Sequence, residues 1–320
     1  MQALQKFLAA DMQHVDEVIR LRLHSDVVLV RQVAEYIISG GGKRLRPVLV
    51  LLAAGAVGCV DAHRFELAAV VEFIHTATLL HDDVVDESGL RRGRATANAL
   101  FGNAASVLVG DFLYSRAFQM MVEVGQMRIM QVLSDATNII AEGEVLQLMN
   151  CNNADISESE YLHVIRYKTA KLFQAAARIG AMLGSAEVVV EQAMADYGMH
   201  LGTAFQLIDD VLDYSGDDAA IGKNIGDDLS EGKPTLPLLY LLAHGNAQQA
   251  MQVRQAIEQG GLEHFAEILL AIEHSGALIY TRQCAQREID LALSALTVLP
   301  NSKFKQNMIN LAYFAVNRDH

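Results

Sequence analysis

Residues 65–86 read FELAAVVEFIHTATLLHDDVVD. From Phe65 to Leu80 the apolar positions go almost all the way round a helical wheel, which marks a helix buried at the centre of a domain. The run then closes on Asp82-Asp83-Val84-Val85-Asp86. In an α-helix positions i and i+4 share a face, so Asp82 and Asp86 point the same way and Asp83 sits about 100° round. Like charges at that spacing repel by a few tenths of a kcal/mol, and the C-terminal end of a helix is the wrong end for a negative charge. The arrangement recurs 127 positions later in HLGTAFQLIDDVLDY (200–214), which ends in Asp209-Asp210-Val211-Leu212-Asp213. One such cluster reads first as a solvated acidic helix end. Two matched clusters, each after an apolar run, point to hard divalent cations: Mg²⁺ takes oxygen ligands and commonly uses one or two carboxylates together with substrate phosphates.

The rest of the chain is helical in composition. Ala, Leu, Val, Ile, Met, Glu and Gln dominate stretch after stretch and strand-like alternation is hard to find, so the class is all-α. With 320 residues, four prolines and no Pro/Gly/Ser-rich linker, residues 1–320 read as a single domain. Hydrophobic residues reach 52% and mean hydropathy is +0.20, yet the best apolar uncharged run, Pro47 to Val60, is too short to span a bilayer and contains glycines. The start, MQALQKFLAADMQHVDE, lacks the pattern of a signal peptide. Cys59, Cys151 and Cys284 match neither a zinc site nor a disulfide framework, which suits the cytoplasm.

A net charge of −13 argues against nucleic acid. Six basic residues nevertheless crowd into Lys43-Arg44-Leu45-Arg46 and Arg91-Arg92-Gly93-Arg94, the signature of a site for a compact anion. Expected helices cover one or two segments up to about Ser39, one beginning near Pro47 after Gly40-Gly41-Gly42, and then about 104–124, 127–148, 158–183 and 188–214, with loops over 87–94 and 215–233.

In that order, GGGKRLRP (40–47), LLHDDVVDESGLRRG (79–93), YKT (167–169), FQLIDDVLDY (205–214) and GKPT (232–235) resemble the trans-type polyprenyl diphosphate synthases, and among these the bacterial octaprenyl type. The resemblance covers essentially the whole chain. It implies an antiparallel helical bundle round a deep central cavity, usually dimeric, with the acidic clusters facing each other at its mouth. It also implies the reaction: two or three Mg²⁺ ions assist ionisation of an allylic diphosphate, and the alkene of isopentenyl diphosphate attacks the resulting cation in a water-poor site.

Roles follow by resemblance. Asp82, Asp86 and Asp209 match the main metal ligands, with Asp83, Asp210 and Asp213 acting directly or through water. Lys43, Arg46, His75 and Arg92 match the isopentenyl diphosphate site. Arg91, Lys168 and Lys223 match the allylic diphosphate site, with Lys233 nearby. Thr169 and Gln206, beside Lys168, match polar groups whose oxygens face the developing cation. Arg44 and Arg94 are equally well read as surface or dimer contacts. Glu142, Glu144 and Gln147 fit a cavity wall or an ordinary polar helix face, and Asp227 and Asp228 fit partners of lysines or metal waters, or an exposed turn. Met120, Met121 and Met127 read as core.

Short-chain relatives close their tunnel with aromatics five and four residues before the first aspartate, where this chain has Ala77 and Thr78. Phe73 and Ile74 continue an apolar wall. From Glu66 to Asp82 the helix spans about 24 Å, room for about five extended prenyl units; a C40 tail has to bend or run on between other helices. The expected product is C40, with C30 to C50 open, made from farnesyl diphosphate. The lipid product would pass to a membrane prenyltransferase. A non-catalytic regulatory subunit would lack the acidic clusters, and a terpene cyclase would lack GGGKRLRP and Arg91-Arg92.

Overall fold

In the computed structural model the described residues are 2–91, 93–215, 226–260 and 263–318. The chain is all-α as expected. Its first part runs α1 (Gln2–Phe7), α2 (Ala9–Arg22), α3 (Val28–Ser39), α4 (Leu45–Ala56) and α5 (His63–Val85). A two-stranded pair, β1 (Leu90–Arg91) and β2 (Arg94–Ala95), leads to α6 (Ala97–Phe101), α7 (Asn103–Val124) and α8 (Met127–Asn150). Then come α9 (Glu158–Ile165), α10 (Lys171–Leu183), α11 (Val188–Ser215), α12 (Asp227–Ser230) and α13 (Leu236–His244). The chain closes with α14 (Ala247–Gln259), α15 (Phe265–Ser275), α16 (Ala277–Ala295) and α17 (Lys303–Val316).

Two compact units are distinguished. The first comprises Met1–Thr137, Leu172–Gly198 and Ala295–Leu311. Its centre is α5, as the all-round apolar run predicts: Leu67, Ala68, Ala69, Val70, Val71, Phe73, Ile74, Ala77 and Leu80 are buried, and the helix packs against α2, α4 and α7. Met120 and Met121 belong to this core, whereas Met127 is exposed, contrary to expectation. The second unit comprises Asn138–Lys171, Met199–Ser294 and Ala312–His320. Tyr214, Leu229, Leu238, Leu241, Val253, Ile257, Ile268 and Ile272 form its hydrophobic cluster.

Three local departures from expectation have physical causes. The N-terminal segment forms three helices, and in the break between α2 and α3 the Ser25 hydroxyl accepts from the Val27 amide at 3.2 Å. The 87–94 loop contains an antiparallel pair, Leu90 opposite Ala95 and Arg91 opposite Arg94, turned where Gly93 adopts φ +71°. The expected continuous helix over 158–183 is interrupted by a π-turn, Arg166–Ala170.

The Gly40-Gly41-Gly42 break turns the chain into α4 with Gly41 at φ +78° and Gly42 at +143°. Arg44 continues it in the left-handed region at φ +48°, a strained choice for a side-chain-bearing residue. Its guanidinium lies 2.9 Å from Asp16 and 3.7 Å from Glu72, which offsets the strain and places Arg44 in an internal tie. Arg44→Ala loses both ion pairs and keeps the strained backbone, so it should lower stability by about 1–2 kcal/mol. Arg44→Gly should lower it less, and thermal denaturation of the two variants checks the order.

Candidate active site

In the first unit the first carboxylate cluster sits where α5 ends. Asp82 and Asp86 are half-buried, one turn apart on the same side of the helix. Asp83 points into the protein and is completely buried. Its Oδ1 accepts from Arg91 Nε at 2.8 Å and from an Arg91 terminal nitrogen at 2.6 Å. Its backbone carbonyl accepts from Asn98 Nδ2 at 3.0 Å and from the Ser88 amide at 3.0 Å, tying the start of the hairpin to the helix end. Arg91 therefore has one fixed partner behind it.

A cleft of about 550 Å³, open mouth included, adjoins this corner. His75, Asp83, Arg91 and Arg94 line it, together with Glu72, Tyr36 and the Gly40-Gly41 turn. The guanidinium of Arg94 lies 4.6 Å over the Tyr36 ring, and the Tyr36 hydroxyl donates to Ala95 O at 2.7 Å. His75 and Arg91, two of the expected substrate residues, thus share a surface. Lys43 and Arg46 are half-buried at the start of the neighbouring helix, the Arg46 guanidinium 4.6 Å over Phe173. Arg92 lies outside the described residues, as does Lys223.

In the second unit the second cluster follows the same rule with different partners. Asp210 is the buried member. Its Oδ2 accepts from the Tyr161 hydroxyl at 2.5 Å and its Oδ1 from Gln206 Nε2 at 2.9 Å. Gln206 Oε1 accepts in turn from Thr169 Oγ1 at 3.0 Å. Because the Thr169 proton is committed to Gln206, the hydroxyl oxygen presents lone pairs elsewhere. Burial, then the nearby Asp228 charge and Asp209, push the Asp210 carboxyl up to about 8. Asp209 is more open and accepts from Arg318 at 3.0 Å. Arg318 is itself buried, donates to Phe205 O at 2.7 Å and stacks 3.8 Å over the Phe205 ring. Asp213 is half-buried one turn beyond Asp209.

The π-turn presents Lys168 and Thr169. Lys168 Nζ lies 2.6 Å from Glu144 Oε2, which gives Glu144 of α8 a partner that the sequence left open. Lys233 Nζ pairs with Glu231, and its amide donates to Asp228 O at 2.8 Å. Of the expected chain-length positions, Phe73, Ile74 and Ala77 are fully buried. Thr78 is half-buried, its hydroxyl on His75 O at 2.8 Å.

The donor set suits a hard divalent cation. Asp83 Oδ2 is a buried carboxylate oxygen without a hydrogen-bond partner among the described residues, and a positive charge near Asp210 would favour its ionised form. No group of three or more His, Cys, Asp or Glu side chains among the described residues forms a cage alone. Tyr161 and Arg318 went unseen in the sequence: one looks like a core aromatic on an amphipathic helix, and the other follows the last motif by many residues.

A Cβ on Gly143 would stand 2.6 Å from Lys168 N and 2.9 Å from Tyr167 C, so only glycine lets α8 approach the π-turn. Gly143→Ala must move that backbone. It should cost about 1–3 kcal/mol in thermal denaturation and lower turnover as Lys168 and Thr169 shift; unchanged stability and turnover would contradict the close approach.

A family model, "Polyprenyl synthetase", matches residues 27–272. The octaprenyl diphosphate synthase of Escherichia coli (strain K12) is 54% identical over 320 residues, 100% of this chain and 99% of that protein. A polyprenyl synthase from Caulobacter crescentus CB15, solved with calcium and isoprenyl diphosphate, superposes with a TM-score of 0.96 at 45% identity, covering 99% of this chain and 97% of that one. A decaprenyl diphosphate synthase from Rhodobacter capsulatus gives a TM-score of 0.94 at 45% identity, covering 100% and 99%. The chain belongs to the polyprenyl synthetase family and has its helical fold.

Proposed function

We propose that this member of the family is a long-chain trans-prenyltransferase that adds isopentenyl diphosphate units to an allylic diphosphate, with farnesyl diphosphate as primer, and releases octaprenyl diphosphate for a quinone side chain. The observation that carries this reading is the pair of acidic clusters, each with one carboxylate buried and held while its outer two stay part-exposed, in a chain that also supplies phosphate-type cations. A regulatory subunit has no use for two intact clusters. Residues 1–320 serve as one synthase domain.

Asp82, Asp86 and Asp209 would hold Mg²⁺, two or three ions, with Asp83, Asp210 and Asp213 acting directly or through water. When bound, Mg²⁺ neutralises the charge that develops on the departing pyrophosphate. Lys43, Arg46, His75 and Arg92 hold isopentenyl diphosphate; Arg91, Lys168 and Lys223, with Lys233, hold the allylic diphosphate. Arg supplies forked contacts and Lys mobile point charges. The allylic C1–O bond breaks, the alkene attacks C1, and the displaced pyrophosphate takes the proton that is lost, so no protein base is required. Thr169 and Gln206 turn oxygen dipoles toward the cation.

The decisive assay uses purified protein, Mg²⁺, farnesyl diphosphate and labelled isopentenyl diphosphate, with products sized by chromatography. A C40 product is expected, and C15 alone would sink the reading. Asp82→Ala should cut incorporation by a factor on the order of 10³ or more, and Thr78→Phe should shorten the product, since an aromatic ring there obstructs the wall above the first cluster.

No helix among the described residues is long and apolar enough to cross a membrane. We place the enzyme in the cytoplasm, its lipid product passing to a membrane prenyltransferase. On α7, Val107, Leu108 and Val122 are 37, 66 and 61% exposed, apolar surface that suits a second copy of the chain in a homodimer. Sedimentation should give a dimer for the native protein and a monomer for Leu108→Asp; a native monomer would refute the assembly.

A further inference from the structure

Asp210 is the one acidic residue of the second cluster that bulk water does not reach, so whatever orients it must be protein. Two side chains do. Gln206 lies one turn before it on the same helix and reaches Oδ1. The other donor comes from 49 residues away: the Tyr161 hydroxyl on Oδ2. Burial and the neighbouring Asp210 hold the Tyr161 phenol well above its usual range, so it stays a donor throughout the neutral range.

The backbone of Tyr161 is equally well fixed. Tyr161 is the residue after a capping box, in which the Ser157 hydroxyl accepts from the Glu160 amide at 3.2 Å and the Glu160 carboxylate accepts from the Ser157 amide at 2.7 Å. That box sets where α9 begins and hence where the ring enters. The ring is buried, and its oxygen has Asp210 as its hydrogen-bond acceptor. The same helix leads into the π-turn that carries Lys168 and Thr169. One short segment, 157–170, therefore orients the middle aspartate through Tyr161 and presents Lys168 and Thr169 nine residues or fewer further on.

We infer that Tyr161 is a positioning residue for the second metal cluster: its buried hydroxyl, 2.5 Å from Asp210 Oδ2, holds that carboxylate in one rotamer so that Asp209 and Asp213 meet a divalent cation in a fixed arrangement. The inference rests on the reading of Asp209–Asp213 as a Mg²⁺–diphosphate cluster. It assigns Tyr161 no contact with substrate. With the hydroxyl removed, Oδ2 becomes a buried acceptor without its donor, and the carboxylate is free to turn toward its neighbours, where its charge no longer falls in the same place. Partners that orient metal ligands from behind commonly change metal affinity by roughly 10–100-fold when removed.

The test reads metal binding, not turnover. The full-length protein is unfolded thermally with a fixed concentration of inorganic pyrophosphate while Mg²⁺ is titrated, and the Mg²⁺ concentration giving half of the stabilisation is compared. Tyr161→Phe should need about 10-fold more Mg²⁺ than the native chain. Tyr197→Phe is the control, because Tyr197 is also fully buried but its hydroxyl donates to Met308 O at 2.8 Å in the first unit; it should leave the requirement unchanged. In an Asp210→Asn background Tyr161→Phe should add nothing, since coupled residues are not additive. A native Mg²⁺ requirement in Tyr161→Phe, an equal rise in Tyr197→Phe, or an undiminished effect in the Asp210→Asn background would each overturn the inference. Gln206→Leu removes the other donor to the same carboxylate and must also raise the requirement; if Tyr161→Phe does not fold, a normal requirement in Gln206→Leu overturns the inference instead. If the native chain shows no Mg²⁺-dependent stabilisation by pyrophosphate, it is the cluster reading itself that fails.

Discussion

Asp83 takes a full negative charge into a completely buried position, and the two contacts from Arg91 make that tolerable. An uncompensated carboxylate there would cost several kcal/mol. The pairing has consequences in both directions. It turns Asp83 away from Asp82 and Asp86, so the cluster separates into an inner member and an outer pair instead of three equivalent carboxylates. It also fastens the hairpin, whose other ties run from Thr96 Oγ1 and Asn98 Nδ2 to the same helix-end corner. The basic loop is therefore anchored by the acidic cluster.

The second cluster has the same sequence pattern and different physics. Its inner aspartate is met by a phenol and an amide, neither of them charged, so a negative charge on Asp210 would be hydrogen-bonded but not neutralised. Burial and the neighbouring acids then raise its pKa. The cation of this region, Arg318, goes to the outer residue Asp209 instead. The inner carboxylate is thus ion-paired in the first cluster and met by neutral donors in the second. Two motifs that look interchangeable on the page differ in where the protein itself has placed positive charge.

What could be read from the sequence follows from range. The burial of α5, the shared face of Asp82 and Asp86, and the Gly40-Gly42 break are set within one or two helical turns, and all were legible. The π-turn at 166–170 was not: shifting hydrogen bonds from i+4 to i+5 leaves no mark in composition, and Lys168 and Thr169 were found through family resemblance. Tyr161 and Arg318 meet their aspartates from 49 and 109 positions away, and no periodicity encodes such a meeting. The hairpin at 90–95 falls between, with Gly93 signalling a turn but two-residue strands too short to show alternation.

On the proposed reading, product length is a matter of packing energetics along α5. Phe73, Ile74 and Ala77 are fully buried, as are Met120 and Met121 on α7, which packs against α5. A tail that grows along this face must displace packed side chains. Each prenyl unit taken from water gains about 4 kcal/mol, at about 0.8 kcal/mol per carbon, while crowding extra volume into a packed core costs about 1–3 kcal/mol per site. Small residues such as Ala68, Ala69 and Ala77 and flexible methionines lower that cost, because methionine changes rotamer readily to fill or vacate space. Elongation is favourable while the gain per unit exceeds the cost of the next displacement, and it stops where a rigid side chain reverses the balance. An aromatic ring at Ala77 or Thr78 would reverse it at once; with alanine and threonine there, the balance is decided further along the core.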